Sequence, residues 1–328
     1  MPGPEMSRRT LFFLIAGLAL ATGLIAWQGM ATVAGLMATA GWRLLWLAPY
    51  YGLAIVLATA SWLALFPAGA KPLPMTALGA SWIGFSVNWL LPAAQIGGEL
   101  VKARLVTGAA VPGAGAFASV VADKTVQALT LVLYALIGLV LLLATVGGVG
   151  VAVAAGLFVL LLGPAVWGFY RVQKAGPFAA LARLARRLPI GAALAADAAA
   201  TDAALAAVYA RPRAVIAAGL WRLGFRLLLA GETWLALAFL GHPVSLVEAM
   251  ILESLGQAVR GAAFAVPGGL GLQEGGFMAL GAALGLGPET ALALSLAKRV
   301  RELVIGLPGL AAWQLVEGRA AFAGRGGR

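Results

Sequence analysis

The chain has 328 residues, of which 62% are hydrophobic and only 11% charged, where a soluble domain carries about 25% charged residues. Its formal net charge is +11, it has no cysteine, and His242 is its single histidine. Disulfides, thiolate chemistry and Cys-ligated metals are excluded, and the class that fits is a polytopic membrane protein.

Residues 10–42, 44–70 and 125–170 carry no charge, and the last stretch has room for two spans of about 20 residues each. Leu11 to about Met30 reads as the first span. Arg8 and Arg9 precede it, but its apolar run is long and lacks a clean small-residue cleavage site, so an uncleaved anchor is expected. About Leu47 to Phe66 forms the second span, ended by Pro67 and Lys71. Arg43 lies in the turn between them, flanked by Trp42 and Trp46, an interfacial pattern.

The next apolar stretch is interrupted by Pro92, Gly97, Gly98 and Glu99. It predicts a re-entrant hairpin over 74–106, with half-helices from about Thr76 to Leu90 and from about Gln95 to Val106. Irregular backbone at that depth is tolerable only where protein or water covers it. Val120–Leu143, reaching back toward Gly113, reads as the third span and Val149–Tyr170 as the fourth.

Residues 171–213 form a basic region with Arg171, Lys174, Arg183, Arg186, Arg187, Arg211 and Arg213 against Asp197 and Asp202. This reads as a cytoplasmic or interfacial loop beside anionic lipid. No aromatic stacking platform accompanies the charges, so nucleic acid is not the expected partner. Phe178, Leu181, Leu184 and Leu188 share a face opposite Arg183, Arg186 and Arg187, which predicts an amphipathic interfacial helix. An alanine-rich helix is expected from Leu194 to Tyr209.

Ala214–Leu240 reads as a fifth span made polar by Arg222, Arg226 and Glu232. A second interrupted region, 245–286, carries Glu248, Glu253, Gln257 and Arg260 on its first half-helix, breaks at Pro267–Gly271 and resumes near Gln273. Glu289 to about Ala312 gives a last span containing Lys298, Arg299, Arg301 and Glu302, with Pro308 inside it.

The two interruptions share a Pro-x6-Glu pattern, Pro92 to Glu99 and Pro267 to Glu274. From Glu99, Lys124 lies 25 residues on and Gln127 lies 28; from Glu274, Arg299 lies 25 on and Glu302 lies 28. Three spans separate the hairpins, so they would enter from opposite sides, the inverted-repeat pattern of many transporters. The expected fold is therefore an all-α polytopic membrane protein with inverted repeats and two re-entrant or broken helical hairpins. One membrane domain covers 1–328, with a first half 10–170, the basic loop 171–213 and a second half 214–318, and both termini are cytoplasmic.

Glu99 and Glu274 follow the breaks, where they can cap half-helix N-termini or line a polar cavity. Asn88, Gln95, Gln257 and Gln273 can line the hairpins or satisfy freed backbone groups. Lys124, Arg222, Arg226, Arg260, Lys298, Arg299 and Arg301 are intramembrane cations, which pair, snorkel or mark a pathway. Asp123, Glu232, Glu253 and Glu302 are the available acids. The candidate substrate path is Asn88, Pro92, Gln95, Glu99, Lys124, Arg226, Glu253, Gln257, Arg260, Pro267, Gly271, Gln273, Glu274 and Arg299. No zinc spacing, nucleophile elbow or nucleotide-binding motif appears, so neither an enzyme nor a cofactor is expected.

Glu253-Ser-Leu-Gly-Gln257-Ala-Val-Arg260, followed by Phe264-Ala-Val-Pro267-Gly-Gly-Leu-Gly271-Leu-Gln-Glu274-Gly-Gly, resembles hopanoid-biosynthesis-associated membrane proteins of the HpnL type. So does Leu91-Pro92-Ala-Ala-Gln95-Ile-Gly-Gly-Glu99. These belong to a wider family that includes the membrane (flippase) domain of lysylphosphatidylglycerol synthase, and the resemblance covers nearly the whole chain. It implies a bacterial inner-membrane protein whose partners are membrane lipids, anionic or polyterpenoid, together with lipid-biosynthetic enzymes. Lipid translocation is the implied activity. Aminoacyl transfer is not carried over, because the chain ends just after its last span. A scaffold for lipid-modifying enzymes, docking through 171–213, and a small-solute transporter are the competing expectations.

Overall fold

The computed structural model describes residues 35, 37–91, 97–108, 111–147, 167, 168, 171, 191–262 and 272–323. A 3-10 turn, Gly41–Trp46, leads into α1 (Leu47–Ala64). There follow α2 (Pro74–Leu90), α3 (Gly97–Val106), α4 (Gly113–Thr145), α5 (Gly191–Tyr209), α6 (Pro212–Phe239), α7 (Leu246–Ala262), α8 (Leu272–Ala283) and α9 (Pro288–Ala323). The described fold is all-α.

Proline sets several helix starts. Pro74, Pro212 and Pro288 each occupy the first position of a helix, where a missing N–H is harmless and φ is already suitable. Ser245 and Glu248 close a capping box on α7: the Ser245 N–H donates to Glu248 Oε2 at 2.7 Å, and the Glu248 N–H donates to Ser245 Oγ at 3.2 Å. The third predicted span starts seven residues earlier than Val120, at Gly113 directly after Pro112. The last helix continues through Pro308 to Ala323, well past the expected end. The half-helices of the two interrupted regions appear as α2 with α3 and as α7 with α8. Five predicted features lie outside the described residues: the Leu11–Met30 span, the Val149–Tyr170 span apart from residues 167 and 168, the amphipathic Phe178–Leu188 face and the breaks at 92–96 and 263–271.

Among the described residues, three helices are long and apolar enough to cross a membrane, Met37–Ala64, Gly113–Thr145 and Pro212–Phe239. Only 44%, 33% and 33% of their most apolar stretches is buried inside the protein. Leu53, Leu133, Val140, Ile216 and Leu220 instead face outward, as a lipid solvent allows and water does not.

The chain divides into two compact units. The first comprises Met1–Leu53, Trp82–Glu99 and Leu229–Arg328. Its core gathers Leu47, Leu237, Leu252, Phe277, Leu292 and Leu294, with α8 packed on both α7 and α9. The end of α2 lies against α9, where Trp82 Nε1 donates to Ile305 O at 3.0 Å. A Cβ at Gly306 would sit 2.7 Å from Leu90 Cδ1, and one at Gly309 would collide with the Ser86 side chain. These glycines let the two helices approach closely, the usual small-residue solution in membranes.

The second unit comprises Ala54–Ser81 and Leu100–Leu228. Trp62, Phe66, Ala80, Ala103, Val106 and Val120 form one cluster in it. Leu65, Ala118, Ala122, Val126, Leu205 and Val208 form another, where α4 meets the alanine-rich α5. Small alanines on both helices permit this contact. Polar bonds fasten it, including Thr125 Oγ1 to Tyr209 Oη at 2.9 Å.

Candidate functional site

Each unit holds a buried ionic network. In the second unit the centre is Asp123 of α4, with no exposed surface. Lys102 Nζ of α3 donates to its Oδ2 at 2.8 Å, and Arg222 Nη2 of α6 donates to its Oδ1 at 2.5 Å. Gln127, one turn on, donates Nε2 to Oδ2 at 3.1 Å. The Lys102 ammonium also stands 4.1 Å from the centroid of the Trp62 ring, and Trp62 Nε1 donates to Ser119 Oγ at 3.0 Å.

Arg226, one turn after Arg222, donates Nη2 to Gln127 O at 2.7 Å and Nε to Thr130 Oγ1 at 3.3 Å. Lys124 reaches Gln127 Oε1 at 3.4 Å. One acid thus gathers three helices. A desolvated carboxylate persists only with such partners, because its charge is costly to bury alone.

The first unit distributes its charges. Glu253 of α7 pairs with Lys298 of α9, accepts from Thr233 Oγ1 of α6 at 2.6 Å, and accepts from Gln257 Nε2 at 2.7 Å. Glu232 of α6 accepts from Arg301 Nε of α9 at 2.7 Å. The Arg301 guanidinium lies 3.8 Å from the Tyr51 ring centroid and 5.0 Å from that of Trp89. Glu302 takes two cations, Arg260 Nη1 of α7 at 3.2 Å and Arg299 Nη1 at 3.0 Å. The side chains of Arg260 and Arg299 keep 23% and 18% of their surface exposed, whereas Glu302 keeps 4%.

The hairpin candidates separate by role. Asn88, near the end of α2, accepts the Gly98 N–H of α3 on Oδ1 at 2.9 Å. It therefore satisfies a backbone donor at a helix start, one of four that an α-helix leaves unpaired. A side chain at Gly98 would run into Gly84 O, so only glycine admits this approach. Glu99 lies half-buried in the first turn of α3, where the helix dipole favours a negative charge. Gln273 and Glu274 lie in the first turn of α8. Pro92, Gln95, Pro267 and Gly271 lie outside the described residues. Asn88, Glu99, Glu253, Gln257, Arg260 and Arg299 belong to the first unit, and Lys124 and Arg226 to the second.

Sequence reasoning named the four acids that pair but missed Lys102 as a partner of Asp123. A signal was present. Ser119, Asp123, Gln127, Thr130 and Tyr134 recur at steps of three and four, a polar stripe on one face of an otherwise apolar helix. Such a face must meet cations or donors, and Lys102 lies on α3, directly before α4 in the chain. Tyr51 and Trp89 around Arg301 were also missed, and no local pattern marks them. Among the described residues, no group of three or more His, Asp or Glu could hold a metal.

The sequence profile of the lysylphosphatidylglycerol synthase TM region matches residues 14–309. No curated protein matches the chain, and no solved structure does.

Proposed function

Because the chain belongs to the lysylphosphatidylglycerol synthase transmembrane-region family, we propose that it translocates lipid head groups between leaflets, along a path beside the ionic network of the first unit. One observation carries this reading. Arg260 and Arg299 share Glu302 and remain partly exposed, while the other paired charges of that unit are nearly sealed, at 5% side-chain exposure or less. A guanidinium offers five donors in a planar fork that suits phosphate oxygens. A head group can therefore bind without first breaking a buried ion pair.

In this proposal the Glu302 carboxylate sets the spacing of the two forks. Gln257 and Glu253 continue the polar face along α7, and Asn88 and Glu99 hold the corresponding start of α3. Pro92, Gln95, Pro267, Gly271, Gln273 and Glu274 complete the path at the hairpin breaks. Lys124 and Arg226 are the second unit's own candidates for contact with a head group. We take the two interrupted regions as inverted copies, supported by the shared offsets of 25 and 28 residues after Glu99 and Glu274. The placement is the bacterial inner membrane. Exposed Lys71 and Arg213 at the ends of apolar helices support a cytoplasmic assignment for that end. A link to hopanoids rests on the likeness of the Glu253–Gly276 and Leu91–Glu99 segments.

Proteoliposomes test the reading. Purified protein should move fluorescent phospholipid analogues between leaflets, and Arg260→Ala should slow them roughly ten- to a hundredfold, the loss of one charge-assisted hydrogen bond. If the folded wild-type protein moves no member of a panel of anionic, zwitterionic and hydroxylated polyterpenoid lipids, the proposal fails.

A further inference from the structure

In the second unit, α1 ends and α4 and α6 begin around one cleft. Phe66, Val111, Pro112, Gly115 and Val208 line it, with Arg211 in its wall. Its volume is about 120 Å³, roughly ten times what one water needs, and its lining is almost entirely apolar. All three of those helices are long and apolar enough to span. The cleft therefore opens where spans end, at the level of lipid head groups and upper acyl chains.

Arg211 is held by neutral acceptors. It donates to Leu65 O, to Phe66 O at 3.2 Å and to Ala207 O at 3.3 Å, all of them neutral. The first two are carbonyls that the end of α1 leaves without helical partners. Among the described residues, no carboxylate pairs with Arg211. Asp202 on α5 lies about 10 Å back along the helix from its end. Exposed Lys71 follows Ala70 of the cleft wall, and exposed Arg213 follows Arg211 by two residues. An apolar slot at a bilayer boundary thus has one cation in its wall, Arg211, and two exposed cations, Lys71 and Arg213, close by in the chain.

We infer that this cleft seats an anionic phospholipid of the surrounding bilayer. Part of an acyl chain lies against Phe66, Val111 and Val208, and the phosphate faces Arg211, Lys71 and Arg213. The charge selects an anionic over a zwitterionic head group, and the slot selects an amphiphile over a free anion. This lipid is a resident of the second unit, separate from the path proposed beside Glu302.

The test compares phosphatidylglycerol with phosphatidylcholine of the same acyl chains, added to the full chain purified in detergent. Retained lipid is counted by native mass spectrometry and followed by thermal unfolding. Wild type should retain phosphatidylglycerol at least about tenfold over phosphatidylcholine and gain thermal stability from it. Glycerol phosphate without chains should not compete. Gly115→Leu is the decisive variant, because nothing lies within 4 Å of a Cβ added there and its side chain can fill the slot without strain. It should fold and lose the retained lipid. Arg211→Gln should lose the head-group preference. Equal retention of the two lipids, unchanged retention in Gly115→Leu, or an unchanged head-group preference in Arg211→Gln would each overturn the inference.

Discussion

Asp123 and Lys298 stand at the same offset, 24 residues after Glu99 and after Glu274, yet one is an acid and the other a base. Each is buried and ion-paired within its own unit. In the second unit the acid is single and its cations arrive from other helices, Lys102 from α3 and Arg222 from α6. In the first unit three acids on three helices face four cations, and two of those cations, Lys298 and Arg301, also rest against aromatic rings. Equal burial therefore hides different vulnerability. A single hub concentrates the cost of losing one carboxylate, whereas the distributed network spreads it.

The sharpest break of this comparison is Asp123→Asn. It removes the carboxylate on which Lys102 and Arg222 both close, and should cost about 3–5 kcal/mol, read as a collapse of monodisperse yield and a large drop in unfolding temperature in detergent. Glu232→Gln should cost less, about 2–3 kcal/mol, since Arg301 keeps a neutral acceptor and its contact with Tyr51. If the two variants lose stability equally, the distinction between hub and distributed network is wrong.

Gly98→Ala asks whether close backbone approach matters in the first unit as well as charge. The added methyl meets Gly84 O and the Asn88 side chain, and overpacking of this kind costs about 1–3 kcal/mol. Arg260→Ala should shift stability least, by under about 1 kcal/mol, because Arg299 still holds Glu302. Its lipid movement should nevertheless slow, separating function from folding at one residue.

Much of the architecture was readable in advance because proline and glycine act locally. The starts of α2 and α9, the close of α3 at Val106 and the end of α6 near Phe239 all follow from nearby residues and fall within two residues of expectation. The acids that need partners were readable too, since a carboxylate in apolar sequence demands a cation. Which cation answers was not. Lys102 and Asp123 are joined by the path of α3 back to α4, and Arg301 finds Tyr51 across 250 residues of chain. Pairing of that kind is fixed by tertiary packing, which leaves no local periodicity. α9 runs through Pro308 as expected and is held along α2 there, but it continues to Ala323, past the expected end near Ala312, where no local breaker marks a stop.

That contact between α2 and α9 also has a mechanical meaning. Gly306 and Gly309 accept Leu90 and Ser86, and Trp82 grips the Ile305 carbonyl between them. A slip of α9 by one residue would drive Leu307 or the Pro308 ring into the places reserved for hydrogen atoms. The two segments are therefore keyed like a clutch, unable to ratchet lengthwise. Any rearrangement of the first unit must carry them together as one lever, with Arg299, Arg301 and Glu302 fixed to its arm.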